Sequence, residues 1–131
     1  HDMIGNLNHG LNSFFDWNIL LDKEGGPNHV GNYCDAPFLY DVEHKELIQR
    51  MSADYYWHFS HFIREGAVRL GFSRYTDAID VTAWENPDGT IVLILLNRGV
   101  EAVPVHIRLQ GKKADITVSA RSIVSGVVSG Q

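Results

Sequence analysis

Residues 80–96 constrain the fold more than any other stretch of the chain. Asp80-Val81-Thr82-Ala83-Trp84 leads through Asn86-Pro87-Asp88-Gly89 into Thr90-Ile91-Val92-Leu93-Ile94-Leu95-Leu96. Proline presets one turn residue and glycine accepts a φ that other residues avoid, so the interruption reads as a hairpin turn. The second arm is almost wholly apolar, which a strand tolerates only when both of its faces are covered. Other runs rich in Val, Ile and Thr occupy residues 67–73, 102–109, 114–119 and 122–128. Asn97-Arg98-Gly99 and Gln110-Gly111-Lys112-Lys113 punctuate them. Together with residues 78–84 and 90–96 they predict six short strands at regular spacing, the pattern of an antiparallel β-sandwich.

The first half has a different character. Residues 1–63 carry nine acidic side chains against three basic ones, and they hold eleven of the fourteen aromatics. Residues 64–131 are close to neutral, with aromatics only at Phe72, Tyr75 and Trp84. This break predicts parts of two structural units joined near Arg64-Glu65-Gly66. Residues 3–12 read as the end of a helix stopped by Gly10, and residues 14–21 as a compact apolar strand. A Gly/Pro/Asn-rich loop follows over residues 22–34. A second helix is expected over residues 52–63, with Ser52 as N-cap and Tyr55, Phe59 and Phe62 recurring at helical offsets. A helix, a strand, a loop and a helix are α/β material. The strand wants parallel neighbours, none is evident in the sequence, and the rest of an α/β domain is therefore expected upstream.

Composition narrows the function classes. With 44% hydrophobic and 21% charged residues the chain can bury a core. No apolar run reaches the ~18 residues of a membrane-spanning helix. A net charge of −5 argues against a nucleic-acid partner held through phosphates. Cys34 is the only cysteine, so no internal disulfide forms. The opening His1-Asp2-Met3 reads as an internal start, from which no targeting signal can be taken.

Asp16-Trp17-Asn18 and the loop Gly25-Gly26-Pro27-Asn28-His29-Val30-Gly31-Asn32-Tyr33-Cys34-Asp35 hold the side chains a sugar site requires. An aromatic face stacks on the C–H face of a pyranose, and amides and carboxylates bond its hydroxyls with defined direction. The same composition also suits an ordinary loop whose amides satisfy its own backbone. His58-x-x-His61 lacks the spacing of the helical zinc motif and reads as two histidines on a helix face, so no metal ligands are assigned. Cys34 has no basic cluster nearby and reads as an inert thiol. There is no phosphate-cradling glycine loop and no nucleophile elbow, and spacing alone pairs no two carboxylates as acid and base.

One resemblance draws these segments together. Gly5-Asn6-Leu7-Asn8-His9-Gly10, Phe15-Asp16-Trp17-Asn18, Gly25-Gly26-Pro27-Asn28, Asn32-Tyr33-Cys34-Asp35-Ala36-Pro37 and Tyr56-Trp57-His58-Phe59-Ser60-His61-Phe62-Ile63-Arg64-Glu65-Gly66 closely resemble glucosylceramidase-type members of glycoside hydrolase family 30. The likeness continues through Asn86-Pro87-Asp88-Gly89-Thr90, Leu95-Leu96-Asn97-Arg98 and Ala120-Arg121-Ser122-Ile123, so it runs the length of the chain in order.

The resemblance implies the C-terminal fragment of a (β/α)8 barrel joined to an antiparallel β-sandwich. Residues 1–66 would end the barrel with strand eight (14–21), a long loop (22–50) and the last helix, and residues 67–131 would form the sandwich. It implies a retaining enzyme that hydrolyses β-glucosidic or related β-glycosidic bonds, with no cofactor and with two catalytic glutamates. Both would precede residue 1, so no residue here is assigned as catalytic and the isolated chain is expected to be inactive. Trp17, at the end of strand eight, would line the glucose subsite, with Asn32 and Tyr33 on the loop at its mouth. Tyr33 and Cys34 depart from the residues other members carry there, which leaves the aglycone open. The implied partners are a β-glucoside or glycosphingolipid-like substrate and the upstream part of the same barrel, in a secreted, periplasmic or lysosomal-type setting. Two other readings stand beside this one: a non-catalytic carbohydrate-binding sandwich module, and an interaction module docking through Trp17 and residues 55–57.

Overall fold

The computed structural model describes residues 1–129, so positions 130–131 of the expected sandwich lie outside the described residues. The chain divides into two compact units, one made of residues 13–57 and the other of residues 1–12 with those from 58 onward.

The larger unit is built on the expected hairpin. β5 (Asp80–Glu85) and β6 (Ile91–Asn97) pair antiparallel, with Asp80 opposite Leu96 and Glu85 opposite Ile91. The Asn86 N–H donates to the Thr90 carbonyl at 2.8 Å and the Gly89 N–H to the Asn86 carbonyl at 2.9 Å, which closes the turn. Gly89 takes the positive φ that the turn demands, +78°. β6 is buried at every position but Leu93, as its apolar run predicts. β9 (Ser122–Val128) covers its other edge, and β4 (Val68–Arg69) extends the sheet beyond β5, giving the order β4-β5-β6-β9. The strand expected over 67–73 is thus cut to two residues, because β5 offers partners only at Glu85 and Trp84.

β7 (Val103–Leu109) and β8 (Lys112–Val118) form a separate two-stranded sheet. Gln110 and Gly111 carry φ of +49° and +79°, the signature of a two-residue hairpin turn whose twist suits the strands. Lys112 and Lys113, expected in that turn, belong to β8. Burial alternates along β7, and Val103, Val105, Ile107 and Ile116 pack with Val118 on Ile79, just ahead of β5, and on Leu95 of β6. That layer is the sandwich core. In the same unit α1 (Asp2–Asn8) buries Ile4 and Leu7; it ends four residues short of the expected 3–12 stretch, with Gly10 just beyond it at a φ of +96°. The Leu11 N–H reaching back to the Asn6 carbonyl at 3.0 Å satisfies one of the orphan carbonyls of the last turn. The Asn8 amide donates to the Val81 carbonyl at 2.8 Å, fixing the helix to β5.

The smaller unit departs from expectation. β1 is confined to Leu20–Asp22 and pairs in parallel with β2 (Phe38–Asp41), which pairs antiparallel with β3 (Glu46–Gln49). The strand expected over 14–21 therefore begins only at Leu20, where a ladder partner exists. Its parallel neighbour also lies within the chain, because the loop after Asp22 is long enough to return β2 alongside. Residues 42–45, with Lys45 at a φ of +58°, turn β2 into β3 inside what reads in sequence as continuous loop. Leu21, Ala36 and Leu39 form a small core, with Cys34 and Ile48 packed on it. α2 spans Met51–Phe62, one residue earlier than predicted, so Ser52 lies within its first turn and is not its N-cap.

Candidate functional site

The loop after β1 is cinched twice at its base. The Asp22 carboxylate accepts the Gly26 N–H at 2.6 Å and the Glu24 N–H at 3.1 Å, and the Asp22 N–H donates to the Gly26 carbonyl at 2.6 Å. Next, the Cys34 N–H donates to the Gly25 carbonyl at 3.0 Å. Only glycine fits there: φ is +89°, and a Cβ would stand 2.3 Å from the Cys34 carbonyl oxygen. Residues 27–33 project beyond these ties as an exposed arch that carries Asn32 and Tyr33. Cys34 is half-buried, and its thiol faces the Asn32 carbonyl at 3.8 Å.

Trp17 precedes β1 and is 85% exposed. A strand end does not hold it, contrary to expectation, because the ladder starts three residues later. Its backbone is held instead by Asp16, one carboxylate oxygen of which accepts the Trp17 N–H at 2.8 Å. The other oxygen accepts the Tyr56 phenol of α2. The Phe14 ring lies 6.3 Å from that of Tyr56 at a tilt of 44°. The phenol, and secondly the Trp17 N–H, stabilise the Asp16 carboxylate and hold it below its ordinary range. The same carboxylate pushes the Tyr56 hydroxyl up to about 12. Trp17, Asn32 and Tyr33 are all open to solvent, and no hydrogen bond or ring contact among the described residues joins their side chains.

A second polar cluster closes the β2–β3 turn. The nearly buried Asp41 carboxylate accepts Lys23 Nζ at 2.9 Å, shares a 3.0 Å bond with the His44 ring, and accepts the N–H groups of Glu43 and His44. Lys23 first, and His44 after it, hold Asp41 far below the ordinary carboxylate range. Asp41, Glu43 and His44 bring potential metal-ligand atoms within 4.8 Å of one another. The Lys23 ammonium on the same carboxylate opposes a cation there, and the arrangement serves to cap the turn. His58 shares a 2.8 Å bond with Ser125 of β9, and His61 lies edge-on to Phe62 at 4.8 Å.

Sequence reasoning missed both the Asp16–Tyr56 pair and the Asp41 cluster. The first joins residues forty apart, so no local pattern announces it. The second had a signal: an Asp two residues before Glu43 and three before His44, between two apolar runs, is a turn-capping pattern.

The architecture is a barrel end joined to an antiparallel β-sandwich. Residues 1–63 match the glycosyl hydrolase family 30 TIM-barrel domain and residues 66–126 the glycosyl hydrolase family 30 beta sandwich domain, and the chain belongs to that family. The lysosomal acid glucosylceramidase of Mus musculus is 38% identical over 109 residues, covering 82% of this chain and 21% of the mouse protein. The crystal structure of SrfJ from Salmonella typhimurium superimposes with a TM-score of 0.97 at 35% identity, over 100% of this chain and 29% of that one. An endo-β1,6-glucanase structure follows with a TM-score of 0.87 at 25% identity, over 97% of this chain and 29% of its own. The chain thus spans about a fifth of the mouse relative and under a third of the two solved chains.

Proposed function

We propose that this chain is the C-terminal part of a retaining β-glycosidase of the glucosylceramidase type, acting on β-glucosidic or related β-glycosidic bonds. The observation that carries the reading is the order of the two family matches, barrel then sandwich, along a chain 38% identical to the mouse lysosomal acid glucosylceramidase. In this reading residues 1–66 close the barrel, residues 67–131 form the sandwich, and the two catalytic glutamates lie upstream of His1. Retaining chemistry needs two carboxyl groups about 5 Å apart across one bond, one donating a proton and the other attacking carbon. Trp17, Asn32 and Tyr33 line the sugar subsite. The open indole of Trp17 and the exposed arch at 27–33 supply a stacking face and an amide of the kind a pyranose requires.

The test is Trp17→Ala in the full-length protein, assayed on an aryl β-glucoside per folded molecule with the melting temperature alongside. Loss of orientation at the reacting carbon is expected to lower kcat/KM by about a hundredfold. A kcat/KM within a few-fold of wild type removes Trp17 from the subsite. The 131-residue chain alone is expected to show no turnover above a heat-killed control. A carbohydrate-binding module is the second reading. The β1–β2 pairing favours it to this extent, that the short parallel strand has a partner without any upstream barrel.

A further inference from the structure

We propose that Tyr56 is a positioning residue for the sugar-stacking face of Trp17, acting through Asp16 as a clamp between α2 and the segment ahead of β1. The inference rests on the subsite reading above. Phe14 to Trp17 belongs to no ladder, and Phe15 and Trp17 are 89% and 85% exposed, so strand pairing and burial leave the direction of the indole unset. Two contacts to one residue constrain the backbone from which the indole projects. The Phe14 ring packs on the Tyr56 ring, and the Asp16 carboxylate takes the Tyr56 hydroxyl.

The geometry divides the labour between the two carboxylate oxygens. One is tied to α2 through the phenol, and the other receives the backbone N–H of Trp17 at 2.8 Å. Rotation of the Trp17 peptide thus breaks either its own bond to Asp16 or the Asp16 bond to Tyr56. A carboxylate held by a donor on each oxygen has one orientation where a free exposed side chain has several, and a stacking residue whose backbone is already fixed loses less freedom on binding. The depressed pKa of Asp16 and the raised pKa of Tyr56 agree with a bond to the ionised carboxylate that persists at neutral pH.

Tyr56→Phe keeps the ring that packs on Phe14 and removes only the hydroxyl, and Asp16→Ala removes the same clamp from its other end. Both are to be made in the full-length protein, each in the wild-type and the Trp17→Ala background, with kcat and KM for an aryl β-glucoside measured per folded molecule. The expected result is a five- to thirtyfold loss of kcat/KM in the wild-type background and less than a twofold change where Trp17 is already alanine. A loss of equal size in both backgrounds means that Tyr56 acts independently of Trp17 and overturns the inference. It is equally overturned if Trp17→Ala is severe while Tyr56→Phe and Asp16→Ala stay within twofold of wild type, an outcome that leaves the subsite reading intact. Should Trp17→Ala itself be within a few-fold of wild type, the subsite reading fails and the inference with it. If Tyr56→Phe does not fold, the Asp16→Ala pair decides on the same criteria.

Discussion

The indole Nε1 of Trp84 donates a 2.8 Å hydrogen bond to Oγ1 of Thr82, two positions back on the same face of β5, where Thr82 is fully buried. The strand thereby satisfies the one polar atom of its largest side chain without recruiting water or another element. Thr82→Val preserves shape and removes the acceptor, leaving a buried N–H unpaired. The expected cost is about 1–3 kcal/mol in urea unfolding. In a Trp84→Phe background the same substitution should cost clearly less, since no N–H remains to be orphaned. Equal costs in the two backgrounds would show that the bond carries no stability.

That pair also shows how far sequence reaches in this fold. The short run ending at Trp84, the Asn-Pro-Asp-Gly turn and the unbroken apolar run of β6 are local signals, and the structure follows them closely. β1 to β3 are read poorly because their definition is not local: Leu20 to Asp22 become a strand only where Phe38 to Tyr40 return alongside. Phe14 to Ile19 is as apolar as a strand and forms none. Trp17, Asn32 and Tyr33 enter the candidate site through the family resemblance, and the structure places all three in solvent. What ties the segment carrying Trp17 to α2 is the bond from Tyr56 to Asp16, and two-body contacts at a separation of forty residues leave no trace in periodicity.

Asn97, at the end of β6, is fully buried, and its amide nitrogen faces three carbonyls: Glu101 at 2.8 Å, Val118 at 3.1 Å and Ser119 at 3.0 Å. Its carbonyl oxygen accepts the Gly99 N–H at 2.8 Å. One side chain therefore satisfies the backbone where the chain leaves the four-stranded sheet for the β7–β8 hairpin. Asn97→Ala orphans these groups together and should destabilise by about 2–4 kcal/mol. Asn97→Asp replaces the donor with an acceptor facing carbonyls and should be at least as harmful at pH 7. Equilibrium urea unfolding of both variants checks the order. An alanine variant within 0.5 kcal/mol of wild type, roughly the range of an ordinary surface change, contradicts this role.

Acid should loosen the smaller unit through Asp41. Its folded-state pKa lies below the unfolded value of 3.8 because Lys23, and then His44, bond the ionised carboxylate. A depressed carboxylate pKa contributes stability that is complete above the unfolded value and is lost as pH falls through it toward the folded one. Lys23 has the opposite sign: its pKa is raised above 10.5 by the same bond, so its share persists below that value and fades as pH rises further. Unfolding midpoints from pH 7 down to pH 3, followed by a probe in the β2–β3 region, should fall more steeply for wild type than for Asp41→Asn. Parallel curves for the two proteins would remove Asp41 from the acid limb.

Gly25 tests the loop that carries Asn32 and Tyr33, and Gly10 provides its control. Both residues sit at positive φ, +89° and +96°, so alanine meets a similar conformational penalty at each, about 1–3 kcal/mol. Their surroundings differ. A Cβ at Gly10 finds nothing within 4 Å, whereas one at Gly25 collides with the Cys34 carbonyl at 2.3 Å. That contact is with backbone and no rotamer change relieves it, so the Cys34 N–H bond to the Gly25 carbonyl must open and the base of the arch must spread. Gly25→Ala should therefore destabilise clearly more than Gly10→Ala. In the full-length protein it should also raise KM for an aryl β-glucoside, because Asn32 and Tyr33 move with the arch, while Gly10→Ala leaves KM unchanged. If the two variants lose the same stability and share the same KM, the close approach of Gly25 to Cys34 does not set the shape of the arch.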